Sequence, residues 1–206
     1  MTIRPHLRNW IAAWPWRDDR AAQIVEFAVS LPLLMVFVVG IFDFSGAFTL
    51  KQKLTNAARD AARGAAADPA NDLSNPSTTV PVSVSDAFQI VDNYLTANNI
   101  SDCGIGSATP TSKALTWTYS ANASPCTGSG LTLIINRAYY FPSNSTVAAS
   151  ADCTPQAPGG QTAVLSTCVS ISYAYAWRFD RVITLLGSRA SLPSSITATS
   201  VAINEN

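Results

Sequence analysis

From Phe27 to Phe42 the chain runs for sixteen residues without a charge, bounded by Glu26 and Asp43. As a helix rising about 1.5 Å per residue this run covers roughly 24 Å, a little short of the ~30 Å hydrocarbon core of a bilayer. Largely apolar flanks, Ala22 to Val25 and Phe44 to Phe48, extend it to about 20 residues, the length of a membrane span. Asp43 then fits a membrane–water interface. Glu26, a carboxylate at the mouth of the run, is costly there and asks for a partner, which points to a role in assembly and not in catalysis. Pro32 and Gly40 lie inside the run. They fit either a helix bent or loosened while packed against neighbours or the ordinary residues of a single-pass anchor.

Three readings of the run compete. A secretory signal is one, since Arg4, Arg8, Arg17 and Arg20 precede it and Ser45-Gly46-Ala47 offers small residues for a cut before Phe48. The length of the run, the intrusion of Asp43 and the helical character that continues past the site argue against it. A permanent anchor is the second. Its orientation does not follow from charge, because Lys51, Lys53, Arg59 and Arg63 balance the four preceding arginines. The third is a helix that serves in assembly after processing.

Four cysteines, Cys103, Cys126, Cys153 and Cys168, all follow the run and are too widely spaced for zinc-type pairs. They read as two disulfides in an oxidising compartment, which puts the C-terminal part outside the cytoplasm and the N-terminus inside. Three connectivities are possible, of which the sequential pairing Cys103–Cys126 and Cys153–Cys168 is favoured because it closes short local loops; four buried thiols are the alternative. The chain of 206 residues has room for one modest extracytoplasmic domain beside the membrane element. Thirteen basic residues balance thirteen acidic ones and charged residues are 13% of the total. That leaves no electrostatic footprint for a phosphate backbone, so nucleic acid is not an expected partner.

Thr49 to Ala67 is rich in strong helix formers, and the next proline is Pro69. Leu50, Leu54, Ala57, Ala58, Ala61 and Ala65 recur at spacings of three and four, so the helix is expected to leave the bilayer and present one narrow apolar face. Pro69 to Val84 reads as a linker or surface loop. Ser85 to Asn98 reads as a short helix capped by Ser85, with Phe88, Val91, Tyr94 and Leu95 on one face. Strand signals follow at Leu115–Ser120, Leu131–Phe141, Ala163–Phe179 and Ser195–Asn204, with a helical turn expected over Asp180–Leu186. One long helix followed by strands predicts an α+β fold in which a small antiparallel sheet covers the outer half of the helix.

Little in the sequence carries chemistry. Between Pro69 and Trp177 there are seven charged residues, Asp72, Asp86, Asp92, Asp102, Lys113, Arg137 and Asp152, and the one histidine, His6, precedes the apolar run. Histidine-based triads and metal sites are thereby removed from the exported part, and no catalytic residue, cofactor or metal site is expected. The strand aromatics Tyr139, Tyr140, Phe141, Tyr173, Tyr175 and Trp177 read as sheet-packing residues, with a ligand-facing role the rarer alternative. Trp10, Trp14 and Trp16 fit the cytoplasmic membrane interface.

The strings Ala21-Ala22-Gln23-Ile24-Val25-Glu26-Phe27-Ala28, Leu31-Pro32-Leu33-Leu34, Gly40-Ile41-Phe42-Asp43-Phe44 and Leu54-Thr55-Asn56-Ala57-Ala58-Arg59-Asp60-Ala61-Ala62-Arg63 form one pattern. It resembles the TadE-like minor pseudopilins of tight-adherence (Flp-type) pilus systems over about residues 20 to 65, with a looser echo at Val169 to Tyr173. The resemblance implies processing by a prepilin peptidase that leaves a glutamate as the fifth mature residue. Counted back from Glu26, the cut falls between Ala21 and Ala22, and Ala21 stands where the family more often has glycine.

The freed Ala22 amine would sit about one helical turn from Glu26, or come from a neighbouring subunit, and pair with the carboxylate. A subunit docked out of step would leave both charges unpaired, so Glu26 would set register. A glutamate merely solvated by headgroups is the alternative. The resulting division is a cytoplasmic leader over 1–21, a transmembrane and stalk helix over 22–68 and an extracytoplasmic α+β domain over 69–206. The expected protein sits in the inner membrane or the pilus. Its expected partners are the peptidase, other pilin and pseudopilin subunits, the inner-membrane assembly machinery and the lipid bilayer. An unprocessed, membrane-anchored binding or adhesin domain is the alternative from another class.

Overall fold

The computed structural model describes residues 19–74, 79–142, 150–155, 163–178 and 192–205. Helix α1 (Asp19–Ala67) passes through Pro32 without interruption and is followed by a short 3-10 turn at Ala70–Ser74. Helix α2 (Val82–Ala97) and a second 3-10 turn (Ile105–Ser107) lead into strands β1 (Thr111–Lys113), β2 (Thr116–Ala121), β3 (Leu131–Pro142), β4 (Ala163–Ala174) and β5 (Ser195–Ile203). The strands form one antiparallel sheet in sequence order. The fold is therefore α+β: a long apolar helix followed by a five-stranded antiparallel meander.

Alternation along the strands decides which face is covered. Trp117 and Tyr119 of β2, Leu131, Leu133 and Ile135 of β3, Val169 and Ile171 of β4, and Ile196 and Ala198 of β5 share one face and are buried. Against them lie the outer half of α1, through Leu54, Ala57, Ala58, Ala61 and Ala65, and α2, through Val84, Ala87, Val91 and Leu95. The small side chains of α1 let the layers approach closely. At Gly64 an added Cβ would lie 2.5 Å from Ile90 Cδ1, so the end of that side chain would have to move to admit one. The opposite face is rich in hydroxyls, with Thr197 Oγ1 on Ser172 Oγ and Thr199 Oγ1 on Ser170 Oγ, each at 3.1 Å.

Several local expectations are corrected. Helix α2 begins at Val82, with Pro81 in the capping position, so Ser85 is inside the helix and is not its cap. The free amide of Ser83 donates to Asp72 Oδ2 at 2.8 Å, so a distant carboxylate takes the role that a local side chain fills in most helices. Pro69 to Val84 is accordingly not all open loop, since its 3-10 turn delivers Asp72. Strand β1 was not expected; it is three exposed residues with no alternation to betray it. Strand β4 ends at Ala174, and Asp180–Leu186 lies outside the described residues.

The register of β3 against β4 slips between Asn136 and Tyr139. The extra residue is a β-bulge, and it reverses the alternation beyond it. Arg137 therefore stays on the helix side, while Tyr139 turns to the outer face and packs under the Cys153–Cys168 bridge. The other bridge is Cys103–Cys126, so the pairing is sequential, and no cysteine is free.

Candidate functional site

The feature that calls for a function is the half of α1 that the domain leaves bare. From Ala22 to Val39 no residue of the helix is buried, and Ile24, Phe27, Leu34, Phe37 and Phe42 are among the large apolar side chains left exposed. The helix has a mean hydropathy of 2.5 over its most apolar window, of which 6% is buried. Soluble monomers rarely expose so much contiguous apolar surface, and surfaces of this kind mark contact with lipid or with other apolar elements. A single N-terminal helix of this kind fits a single-pass membrane anchor.

Glu26 and Ala22 are exposed and lie four residues apart on this helix, one above the other; Ala21 precedes them in the same helix. Two turns on, Pro32 has no N–H to give, so the carbonyl of Ala28 is without its helical donor. Ser30 Oγ donates to the neighbouring carbonyl of Phe27 at 3.2 Å. Such a loosened turn is tolerable where packed neighbours or lipid surround it.

Gly40, Asp43 and Ala47 are buried in succession along one face of the helix, and the domain holds it at Asp43. Asp43 is 7% exposed. Tyr175, just past the end of β4, donates its hydroxyl to the backbone carbonyl of Asp43 at 3.2 Å and to its Oδ1 at 3.3 Å. Gly46 makes room for the contact, since a Cβ there would stand 3.1 Å from the Tyr175 hydroxyl. Burial, and then the Asp43 charge, push the Tyr175 phenol above its ordinary pKa, so it remains a donor throughout the neutral range. Trp177 packs at a tilt of 55° against Phe44, 5.2 Å between ring centroids, and meets Tyr175 edge-on at 4.9 Å. One turn further, Lys51 Nζ donates to the carbonyl of Thr197 on β5, and Lys53 Nζ to that of Asn98 after α2 at 3.2 Å.

The far end of α1 is held by a cation from the sheet. Its last turn contains no basic residue. Arg137 reaches in from the β3 bulge and is 1% exposed. Its guanidinium donates to the carbonyl of Ala65, to Thr167 Oγ1 at 2.7 Å and to the carbonyl of Asp68 at 3.1 Å. These are carbonyls that a helix end leaves without donors, at the negative pole of its dipole. Burial lowers the Arg137 pKa, an effect opposed by Asp72 and Asp68. Thr167 in turn donates to Asn204 Oδ1 at 2.7 Å, tying the residue after β5 into the same cluster.

Asp43–Tyr175 and Arg137 were not singled out from the sequence. Arg137 did leave a signal there, as a lone cation in the otherwise uncharged strand Leu131–Phe141; Tyr175 left none. Elsewhere, an open cleft of about 650 Å³ on the outer face is lined by Thr111, Lys113, Thr116, Asn136, Asp152 and Thr154 among others. Hydrogen bonds from Thr154, and then from Ser150, hold the Asp152 carboxyl below its ordinary pKa. It is therefore a stable anion and not a proton-transfer group poised near neutrality. Among the described residues no three His, Cys, Asp or Glu side chains gather in a metal-binding group.

Residues 21–63 match the family model described as TadE-like protein. The match spans Ala21, Ala22, Glu26, the whole bare half of α1 and most of its packed half. It marks this segment, about a fifth of the chain, as TadE-like, and that family is associated with tight-adherence pili. No curated protein and no solved structure matches the chain.

Proposed function

We propose that the chain is a minor pseudopilin of a tight-adherence pilus, cut by a prepilin peptidase between Ala21 and Ala22 and then inserted into the filament or used to prime it. The observation that carries this reading is the bare, membrane-length half of α1 with Glu26 at its head, coincident with the TadE-like match over residues 21–63. Before assembly the segment spans the inner membrane, with the leader 1–21 in the cytoplasm and the region 69–206 outside. In the filament the same surface packs against the helices of other pilin subunits, supplied through the inner-membrane assembly machinery. Glu26 pairs with an Ala22 amine and sets axial register, because a displaced subunit would leave both charges unpaired in an apolar phase.

The test is Glu26→Ala. Membrane insertion is expected to be normal or easier, whereas filament formation by the processed subunit falls. Normal piliation by the variant sinks the pairing. A second reading, an unprocessed anchored adhesin, draws on the polar cleft around Lys113 and Asp152. Under that reading Glu26→Ala has no effect on surface filaments, and substitutions in the cleft abolish attachment.

A further inference from the structure

The helix and the domain meet at a definite depth. Ala22 to Phe42 is 21 residues, or about 32 Å of helix, which matches a hydrocarbon core of about 30 Å. Asp43 and Phe44 therefore fall at the boundary with the headgroups. Tyr175 and Trp177 contact those two residues directly, so this rim of the domain stands at the same depth and not above it. Phe44 and Phe48 remain 51% and 64% exposed. With Val36, Phe37, Gly40 and Ile41 they line one apolar groove running down the helix. Beside them Ala176 and Arg178 are exposed and Trp177 is half-buried, its indole N–H held by the carbonyl of Pro193 at 2.6 Å. Two aromatic rings with polar tips and an arginine, continuous with an apolar span, are the chemistry that membrane interfaces select.

We propose that the rim formed by Phe44, Phe48, Trp177 and Arg178 is a lipid-binding surface. It seats the domain in the headgroup layer of the outer leaflet while the subunit awaits assembly. Phe44, Phe48 and the face of Trp177 enter the boundary between headgroups and acyl chains, and the Arg178 guanidinium meets lipid phosphate. Tyr175 holds the Asp43 backbone and carboxylate at the same depth. The domain is thus lowered onto the bilayer and does not stand off on a free stalk. The inference rests on the membrane reading of α1 but goes beyond it, since a span alone does not fix where the domain sits.

The experiment uses the full chain in phosphatidylcholine–phosphatidylglycerol vesicles, with a nitroxide attached at Ala176→Cys, Ile41→Cys or Lys113→Cys. All four native cysteines are in bridges, so each new thiol is the only one to label. Depth is read from the relative accessibility of the label to oxygen and to a water-soluble nickel chelate. Lys113, on the opposite edge of the sheet, gives the aqueous reference, and Ile41 gives the hydrocarbon one. The expected result is an Ala176 label whose accessibility ratio is displaced from that of Lys113 toward that of Ile41. Arg178→Glu should move it back in anionic vesicles. An Ala176 label indistinguishable from Lys113, with Ile41 immersed, overturns the seat while leaving the span intact. A label at Ala176 shielded from both reagents overturns it too, since another part of the chain or a second copy then covers the rim. An Ile41 label open to the nickel chelate removes the membrane reading, and the seat with it.

Discussion

Arg137→Met tests whether the sheet holds the far end of α1 through one buried cation. The substitution keeps much of the side-chain volume and removes every donor. The buried carbonyl of Ala65 and the part-buried carbonyl of Asp68 then lose the Arg137 donor, and Thr167 Oγ1 loses the donor it accepts from. A buried carbonyl left unsatisfied costs about 1–3 kcal/mol, and removing one side of a buried charged contact costs about 3–5 kcal/mol in total. Part of this is recovered, since Arg137 Nε has no hydrogen-bond partner among the described residues and its burial cost disappears.

A net loss of about 3–4 kcal/mol corresponds to a fall of roughly 6–16 °C in the unfolding midpoint of a domain of this size. Arg137→Lys keeps the charge but not the planar fork, and should lose about half as much. The assay is thermal unfolding of the full chain in detergent micelles, followed by near-ultraviolet circular dichroism, with amide exchange measured over residues 64–68. Exchange in that last turn should quicken more than at the centre of β3. A midpoint for Arg137→Met within about 1 kcal/mol of the parent refutes the reasoning, and so does a loss of stability with the helix end still protected.

Other perturbations probe separate parts of the account. The Asp92 carboxyl is raised above 3.8 by burial and then by Asp102, so its ionised form is disfavoured in the folded state. The stability it allows below pH 3.8 is lost as pH rises through the raised folded value. Asp92→Asn should therefore raise the unfolding midpoint at neutral pH and leave it unchanged below the ordinary carboxyl pKa, as read in parallel melts at the two pH values. Gly130 has a φ of +66°, and a Cβ there would collide with the carbonyl of Ala121 and crowd Asn122. Gly130→Ala should cost about 1–3 kcal/mol, measured as a lowered denaturant midpoint. Opening the Cys153–Cys168 bridge, which spans 15 residues, with the double Ser variant should cost about 3 kcal/mol by loop entropy. Tyr175→Phe removes the hydroxyl bound to Asp43. Amide exchange at residues 40–47 should rise with no change in that of α2.

What could be read in advance followed from local pattern. The apolar run, the Leu54–Ala65 face, the strong strands and the antiparallel α+β class all rest on periodicity and propensity over windows of ten residues or more. Short or non-local features left no such trace. The three residues of β1 are exposed and do not alternate, so only pairing with β2 defines them. Ser85 looked like a cap because caps are commonly local, whereas the amide of Ser83 is taken by Asp72, eleven residues away. The bulge after Asn136 leaves Arg137 facing the helix but turns Tyr139 outward, a reversal that depends on the partner strand. Asp43 fits the interface by its place along the helix, but the hydroxyl that covers it comes from 132 residues further on.

The central claim, that this chain becomes a pseudopilin by removal of a leader ahead of Glu26, is tested most directly by the mass of the mature N-terminus. Intact-mass and N-terminal peptide measurements on the protein recovered from cell membranes should place the first residue at Ala22, with residues 1–21 absent. A mature chain that still begins at Met1, or that begins at Phe48, contradicts it.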